Sequence, residues 1–185
     1  MAAETAYTFG YHALVLVVMG VSGSGKTTMG RELARRLGWP FEEGDELHPP
    51  ENIAKMASGQ PLTDADRAPW LDRVAAWISG RLSAGGSGVI ACSALKRAYR
   101  VRLASGREAL VRFVYLKGDF DLIAGRVERR RGHFMPPSLL ASQFADLEEP
   151  APEEGAIVVD ISTPPEAQVD AVIAALGLAG TSPGR

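Results

Sequence analysis

The sequence predicts an α/β fold: a five-stranded parallel β-sheet flanked by helices on both faces. Three observations point there. Short, continuously apolar, β-branched runs alternate with longer segments whose apolar residues recur at helical spacing. The first of these runs passes directly into a glycine-rich loop and then into an amphipathic segment. The alternation repeats about five times within 185 residues, a length that suits one domain.

Taken in order, residues 14–19 read as a buried strand that stops at Gly20. Residues 26–37 follow as a helix, with Met29, Leu33 and Leu37 on one face and Gly38 and Pro40 as the stop. A short strand spans 40–43. The stretch 46–66 is rich in Pro, Gly and Asp and holds a short helix at 52–57. Residues 67–83 form a helix with Trp70, Val74, Trp77, Ile78 and Leu82 to one side; core packing is the reading for both tryptophans. Gly85-Gly86-Ser87-Gly88 ends it. A strand at 89–92, a helix at 95–104, a strand at 112–116 and a helix at 119–130 come next. Gly132, Pro136 and Pro137 interrupt the pattern before a helix at 138–147, and a strand at 156–161 and a helix at 165–176 close it. Residues 1–10 and 178–185 read as loose ends around a core of about 13–177.

Hydrophobic residues make up 46% and charged residues 23%, the balance of a globular protein in water. The net charge of −2 gives no general attraction for nucleic acid or an anionic membrane, so any anion must be bound by a local site. Cys92 is the only cysteine, which excludes a disulfide framework and a cysteine metal cluster and fits a cytoplasmic location. The apolar run at 13–19 is far shorter than the ~20 residues of a membrane helix.

Gly20-Val21-Ser22-Gly23-Ser24-Gly25-Lys26-Thr27 matches G-x-x-x-x-G-K-[ST], with Thr28 next in line. In such a loop the glycines let backbone N–H groups turn inward, and the following helix offers its positive end to phosphates. Lys26 then reaches the β- and γ-phosphates of ATP, and the Thr27 hydroxyl holds Mg²⁺. An apolar strand before the loop and an amphipathic helix after it supply the required context.

Among proteins with this loop, a guanine-reading switch should carry N-K-x-D, and Asn52-Ile53-Ala54-Lys55 does not match. A motor or transporter ATPase should end a middle strand in Asp, but 89–92 runs into Ser93 and 112–116 into Lys117. Asp160 ends the last strand and reads as an ordinary strand-end residue. Small-molecule kinases remain, and they need an acceptor pocket, a residue that orients the hydroxyl and a lid. Glu43 and Asp45, at the end of the second strand, face the same crevice as the loop. They can divide the work, Glu43 towards the waters of Mg²⁺ and Asp45 towards the acceptor; in isolation they would read as solvated turn acids. Arg126, Arg129, Arg130 and Arg131 crowd a helix end before Gly132, either as a solvated basic turn or as a lid, near 126–137, that clamps the moving phosphate.

The residues resemble those of the gluconate kinases, a family of the shikimate-kinase-like and nucleoside-monophosphate-kinase-like fold group. The stretches that carry the resemblance are Gly44-Asp45-Glu46-Leu47-His48-Pro49, Asn52-Ile53-Ala54-Lys55-Met56 and the run from Gly59 to Leu71. Further ones are Cys92-Ser93-Ala94-Leu95-Lys96-Arg97-Ala98-Tyr99-Arg100, Val114-Tyr115-Leu116-Lys117-Gly118 and Arg131-Gly132-His133-Phe134-Met135-Pro136, then Ser142-Gln143-Phe144 and Leu147-Glu148-Glu149-Pro150. The resemblance implies ATP-dependent phosphorylation of D-gluconate at its 6-hydroxyl, in sugar-acid catabolism. It implies a strand order, an acceptor-binding region near 46–83 and, as a modest expectation, a homodimer. Where the family often has Asp-x-Asp, this chain has Glu43-Gly44-Asp45.

A gluconate pocket should offer a cation to the carboxylate and neutral donors to the polyol. Lys55, Arg67, Lys96, Arg97 and Arg100 are the cations of the resembling stretches. His48, His133 and Gln143 complete the expected acceptor set, although each histidine would also read as a loop residue. The expected catalytic set is Lys26, Asp45 and Arg130, with Arg126 a second cation on the nucleotide. Two alternatives stand beside this reading: a relative acting on shikimate, a nucleoside monophosphate or another small hydroxyl compound, and a non-catalytic nucleotide switch. Asp45 and the arginine-rich turn speak against the switch, which needs neither.

Overall fold

The computed structural model describes residues 13–129 and 137–178. The strands are β1 (Val15–Met19), β2 (Phe41–Glu43), β3 (Gly88–Ala91), β4 (Val111–Lys117) and β5 (Ile157–Asp160). All neighbours pair in parallel, in the order β2-β3-β1-β4-β5. Central β1 is buried along its whole length, and Val17 lies opposite Ile90 on one side and Phe113 on the other.

Strand periodicity divides the core in two. Val15, Val17 and Met19 face Trp70, Leu71, Val74 and Ile78 of α3 (Asp64–Ser83) and Tyr99 and Leu103 of α4 (Arg97–Ala104). Leu16 and Val18 face the other way. They meet α1 (Lys26–Leu37), α5 (Phe120–Arg129), α6 (Pro137–Asp146) and α7 (Pro165–Ala175) through Leu33, Ile123, Leu140 and Val172. The remaining helix, α2 (Pro50–Ala57), adds nothing to either cluster; Asn52 is its one buried residue. No helix among the described residues is long and apolar enough to cross a membrane.

Helix α2 begins two residues earlier than the sequence reading, at Pro50, and two other helix starts differ for local reasons. Helix α3 begins at Asp64 rather than 67, because Thr63 and Asp66 form a reciprocal capping box ahead of it. Helix α4 begins at Arg97 rather than 95, because Ala94 adopts a left-handed φ of 44° that a helix cannot continue. The Arg100 guanidinium braces that turn. It donates to the carbonyls of Ala94, Leu95 and Glu148 and forms a two-pronged ion pair with Glu154. Arg100 is 2% exposed, so this cation serves the framework and not a ligand.

The connection from β2 to α3 passes through a point of close backbone approach. A Cβ on Gly44 would lie 2.1 Å from the carbonyl oxygen of Ala91 on β3. The Gly44 carbonyl in turn accepts a 2.7 Å bond from Trp70 Nε1. No side chain can bend away here, since the obstacle is backbone. Gly44→Ala is therefore expected to cost about 1–3 kcal/mol or more, read as a lower urea midpoint. An unchanged midpoint would contradict the close approach.

Candidate active site

The phosphate loop joins β1 to α1 with Gly25, at φ 100°, as the last residue before the helix. That left-handed backbone is costly for any residue with a Cβ. No side chain caps α1 and its first turn holds no acid, so its leading N–H groups are left for an anion. Ser24 Oγ is the one buried side-chain polar atom among the described residues that lacks a partner. Lys26 folds back over the loop, its Nζ donating to the Val21 carbonyl at 3.1 Å. Thr27 Oγ1 donates to Glu43 Oε2 at 2.6 Å. The Ser22 N–H donates to Gln143 Oε1 of α6 at 2.6 Å, which ties the loop to the opposite wall. Thr28 is exposed and does not line the cleft.

That cleft has a volume of about 740 Å³ and is lined by Lys26, Asp45, His48, Arg67, Ser93 and Gln143 among others. Its apolar wall comes from α2 and the loop after it, through Ile53, Met56 and Leu62. Asp45 stands exposed in the one-turn 3₁₀ segment 44–47 that follows β2. His48, three residues on, is stacked on the Trp70 ring at 4.3 Å and 13°. Burial pushes its pKa below the ordinary imidazole value; Asp45 opposes that shift and Arg67 adds to it.

The structure separates the expected cations. Arg67 lines the cleft, with Nη1 held by Tyr99 Oη at 3.0 Å and Asp146 at 2.9 Å. Lys55, Lys96 and Arg97 do not line it. Lys55 pairs with Asp66 at 2.6 Å and holds that carboxyl down to about 2. Lys96 pairs with Asp64 at 2.8 Å, and the same carboxylate accepts the Tyr99 hydroxyl. Arg97 reaches Glu153 at 3.3 Å on the surface. Arg126 donates to the Ile161 carbonyl at 2.6 Å, away from the cleft lining. The expected lid residues Arg130, Arg131 and His133 lie outside the described residues. Asp160 accepts from the Ser162 N–H at 2.8 Å, as a strand-end turn residue does.

Sequence reasoning left out Asn52, whose amide lies between His48 and α3, and the Tyr99–Asp146 support of Arg67. The one signal for Asn52 is its i+4 spacing from His48 across a proline helix start. Cys92, close to both acids, is fully buried, and burial pushes its thiol up to about 12, so it is no nucleophile at neutral pH.

A nucleotide loop after β1, an acid after β2 and a walled cleft that both line define a P-loop kinase of small molecules. Comparison with known proteins narrows the class. Residues 15–150 match the family model of the AAA domain. The gluconokinase of Gluconobacter oxydans is 51% identical over 158 residues, 85% of this chain and 88% of that protein. The crystal structure of a sugar kinase from Janibacter sp. HTCC2649 has a TM-score of 0.85 at 49% identity, covering 90% of this chain and 96% of that one. A gluconokinase from Sinorhizobium meliloti 1021 has a TM-score of 0.81 at 45% identity, over 90% and 93%. The chain carries an AAA domain and belongs to the gluconokinase family.

Lys26 makes one hydrogen bond to its own loop and sits outside both core clusters. Lys26→Ala is therefore expected to leave the melting temperature near that of the parent protein while lowering kcat by ~10²-fold or more. Near-normal turnover would contradict its place at the phosphates.

Proposed function

We propose that this protein transfers the γ-phosphoryl group of ATP to the 6-hydroxyl of D-gluconate. The observation that carries the reading is the meeting of Lys26, Asp45 and Arg67 on the walls of one cleft. It supplies a cation for phosphate, an acid for a hydroxyl and a second cation for a carboxylate. The volume, about 740 Å³, lies in the range of small-molecule sites. The names of the relatives support the same substrate.

In this reading the uncapped amides of α1 and Lys26 hold the ATP phosphates. Thr27 and Glu43 are the residues that would hold Mg²⁺, Thr27 directly and Glu43 through it or its waters. Their chemistry fits: Mg²⁺ takes one or two protein oxygens and completes its shell with water and phosphate. No cage of three or more His, Cys, Asp or Glu side chains occurs among the described residues. The ion supplies charge neutralisation as the phosphoryl group moves. Asp45 accepts a hydrogen bond from the 6-hydroxyl and aims its oxygen at the γ-phosphorus. Phosphoryl transfer is loose, so aim matters at least as much as full deprotonation. Arg67 takes the gluconate carboxylate; Nη1 is already engaged with Tyr99 and Asp146, which fixes the guanidinium. Lys96 and Asp64 act through Tyr99, and Lys55 acts through Asp66.

The acceptor is tested by comparing gluconate with glucose under MgATP. A carboxylate without its cation, or the cation without its carboxylate, costs about 1–3 kcal/mol, so kcat/KM for glucose should be about 5- to 150-fold lower. Equal values would overturn the reading. The acid is tested by Asp45→Asn, which keeps shape and removes charge. Its kcat should fall by ~10²–10⁴-fold with ATP affinity and melting temperature nearly unchanged. A variant that is less stable but fully active when folded would leave Asp45 a structural residue.

A further inference from the structure

One buried amide decides which hydrogen bond the imidazole of His48 offers to the cleft. Asn52, 4% exposed, brings a single side-chain atom within 2.8 Å of the Asp66 carbonyl oxygen and 3.2 Å of His48 Nδ1. A backbone carbonyl only accepts, so the shared atom is the NH₂ nitrogen. One of its hydrogens goes to Asp66 and the other faces His48 Nδ1, which must present a lone pair. A neutral His48 then carries its proton on Nε2. Nε2 bonds no described residue and is not among the buried atoms left without a partner, while the residue lines the cleft. Two restraints hold the ring: the Trp70 stack fixes its plane, and Asn52 fixes its rotation within that plane. Trp70 is itself tied to the Gly44 carbonyl.

We propose that Asn52 is a positioning residue that holds His48 as the neutral tautomer protonated on Nε2, so that the cleft offers the acceptor's hydroxyls a directed hydrogen-bond donor there. The charged groups acting on His48 are Asp45, which favours the imidazolium, and Arg67, which opposes it together with burial. An imidazolium would turn an N–H against the Asn52 NH₂, two donors face to face, so geometry and electrostatics select the same neutral form. The consequence is a division of labour. His48 has no lone pair to offer the polyol and cannot be the base for the 6-hydroxyl; Asp45 is the acceptor and His48 the donor. The proposal rests on the cleft being the acceptor site.

The tautomer is measurable without any substrate. Long-range ¹H–¹⁵N spectra of the labelled full chain at pH 7.5, with the His48 signals identified by their loss in His48→Phe, should show the Nε2–H pattern. An Nδ1–H pattern, or a doubly protonated ring at that pH, overturns the proposal. Asn52→Leu should convert the signal to a mixture of tautomers. It should also raise KM for gluconate by about 2- to 10-fold, the range one neutral hydrogen bond carries, with KM for ATP unchanged. In the His48→Phe background the same substitution should add nothing, and an equal rise there also overturns the proposal. If Asn52→Leu does not fold, the parent spectrum decides alone. If the parent protein does not phosphorylate gluconate, the acceptor reading fails while the spectrum still reports the tautomer.

Discussion

The β2 side of the cleft hangs from the contact of Gly44 with the Ala91 carbonyl. β2 is a three-residue edge strand, and its end is held at β3 by a backbone approach that leaves no room for a Cβ. Because Gly44 lies there, Glu43 on one side of it meets Thr27, and Asp45 on the other side enters the cleft. The Gly44 carbonyl then anchors Trp70, which anchors His48. One glycine thus registers Glu43 against the phosphate loop and sets Asp45 and the His48 ring on the wall of the cleft. A parallel sheet makes this possible, since the ends of β1, β2 and β3 open on one edge.

The charges of the region form a connected frame around the cleft. Asp64 joins Lys96 and Tyr99, Tyr99 and Asp146 join Arg67, and Lys55 is spent on Asp66. The pairs link α2, α3, α4 and α6 around the cleft. Half-exposed pairs of this kind add little stability one by one. Their effect here is directional: they hold one guanidinium, Arg67, at the cleft and engage Lys55 and Lys96 away from it.

Much of this was legible in the sequence. The phosphate loop follows from motif, and the five strands and seven helices of the described residues from periodicity and turn signals; β1, buried on both faces, reads as an unbroken apolar run. The placement of Asp45 beside the loop follows from topology alone. What sequence could not supply is the fate of each cation. Lys55 finds its carboxylate 11 residues away and Lys96 finds one 32 away, and no local pattern announces such pairs. Arg100 and Ala94 were hidden for the same reason: a left-handed alanine sits where a guanidinium from the next helix gathers the carbonyls around it. The start of α3 was readable, since Thr63-x-x-Asp66 is a capping signal, but the flanking Pro, Gly and Asp concealed it.

The account stands on one geometric claim, that the acceptor lies between Asp45 and Arg67 with its far hydroxyl turned to the phosphate loop. A crystal structure with gluconate, Mg²⁺ and a non-hydrolysable ATP analogue tests it most directly. The account predicts the 6-hydroxyl oxygen within about 2.6–3.2 Å of the Asp45 carboxylate and the gluconate carboxylate on Arg67. A gluconate bound in the reverse sense, with its carboxylate towards Lys26, or bound outside the cleft, would contradict it.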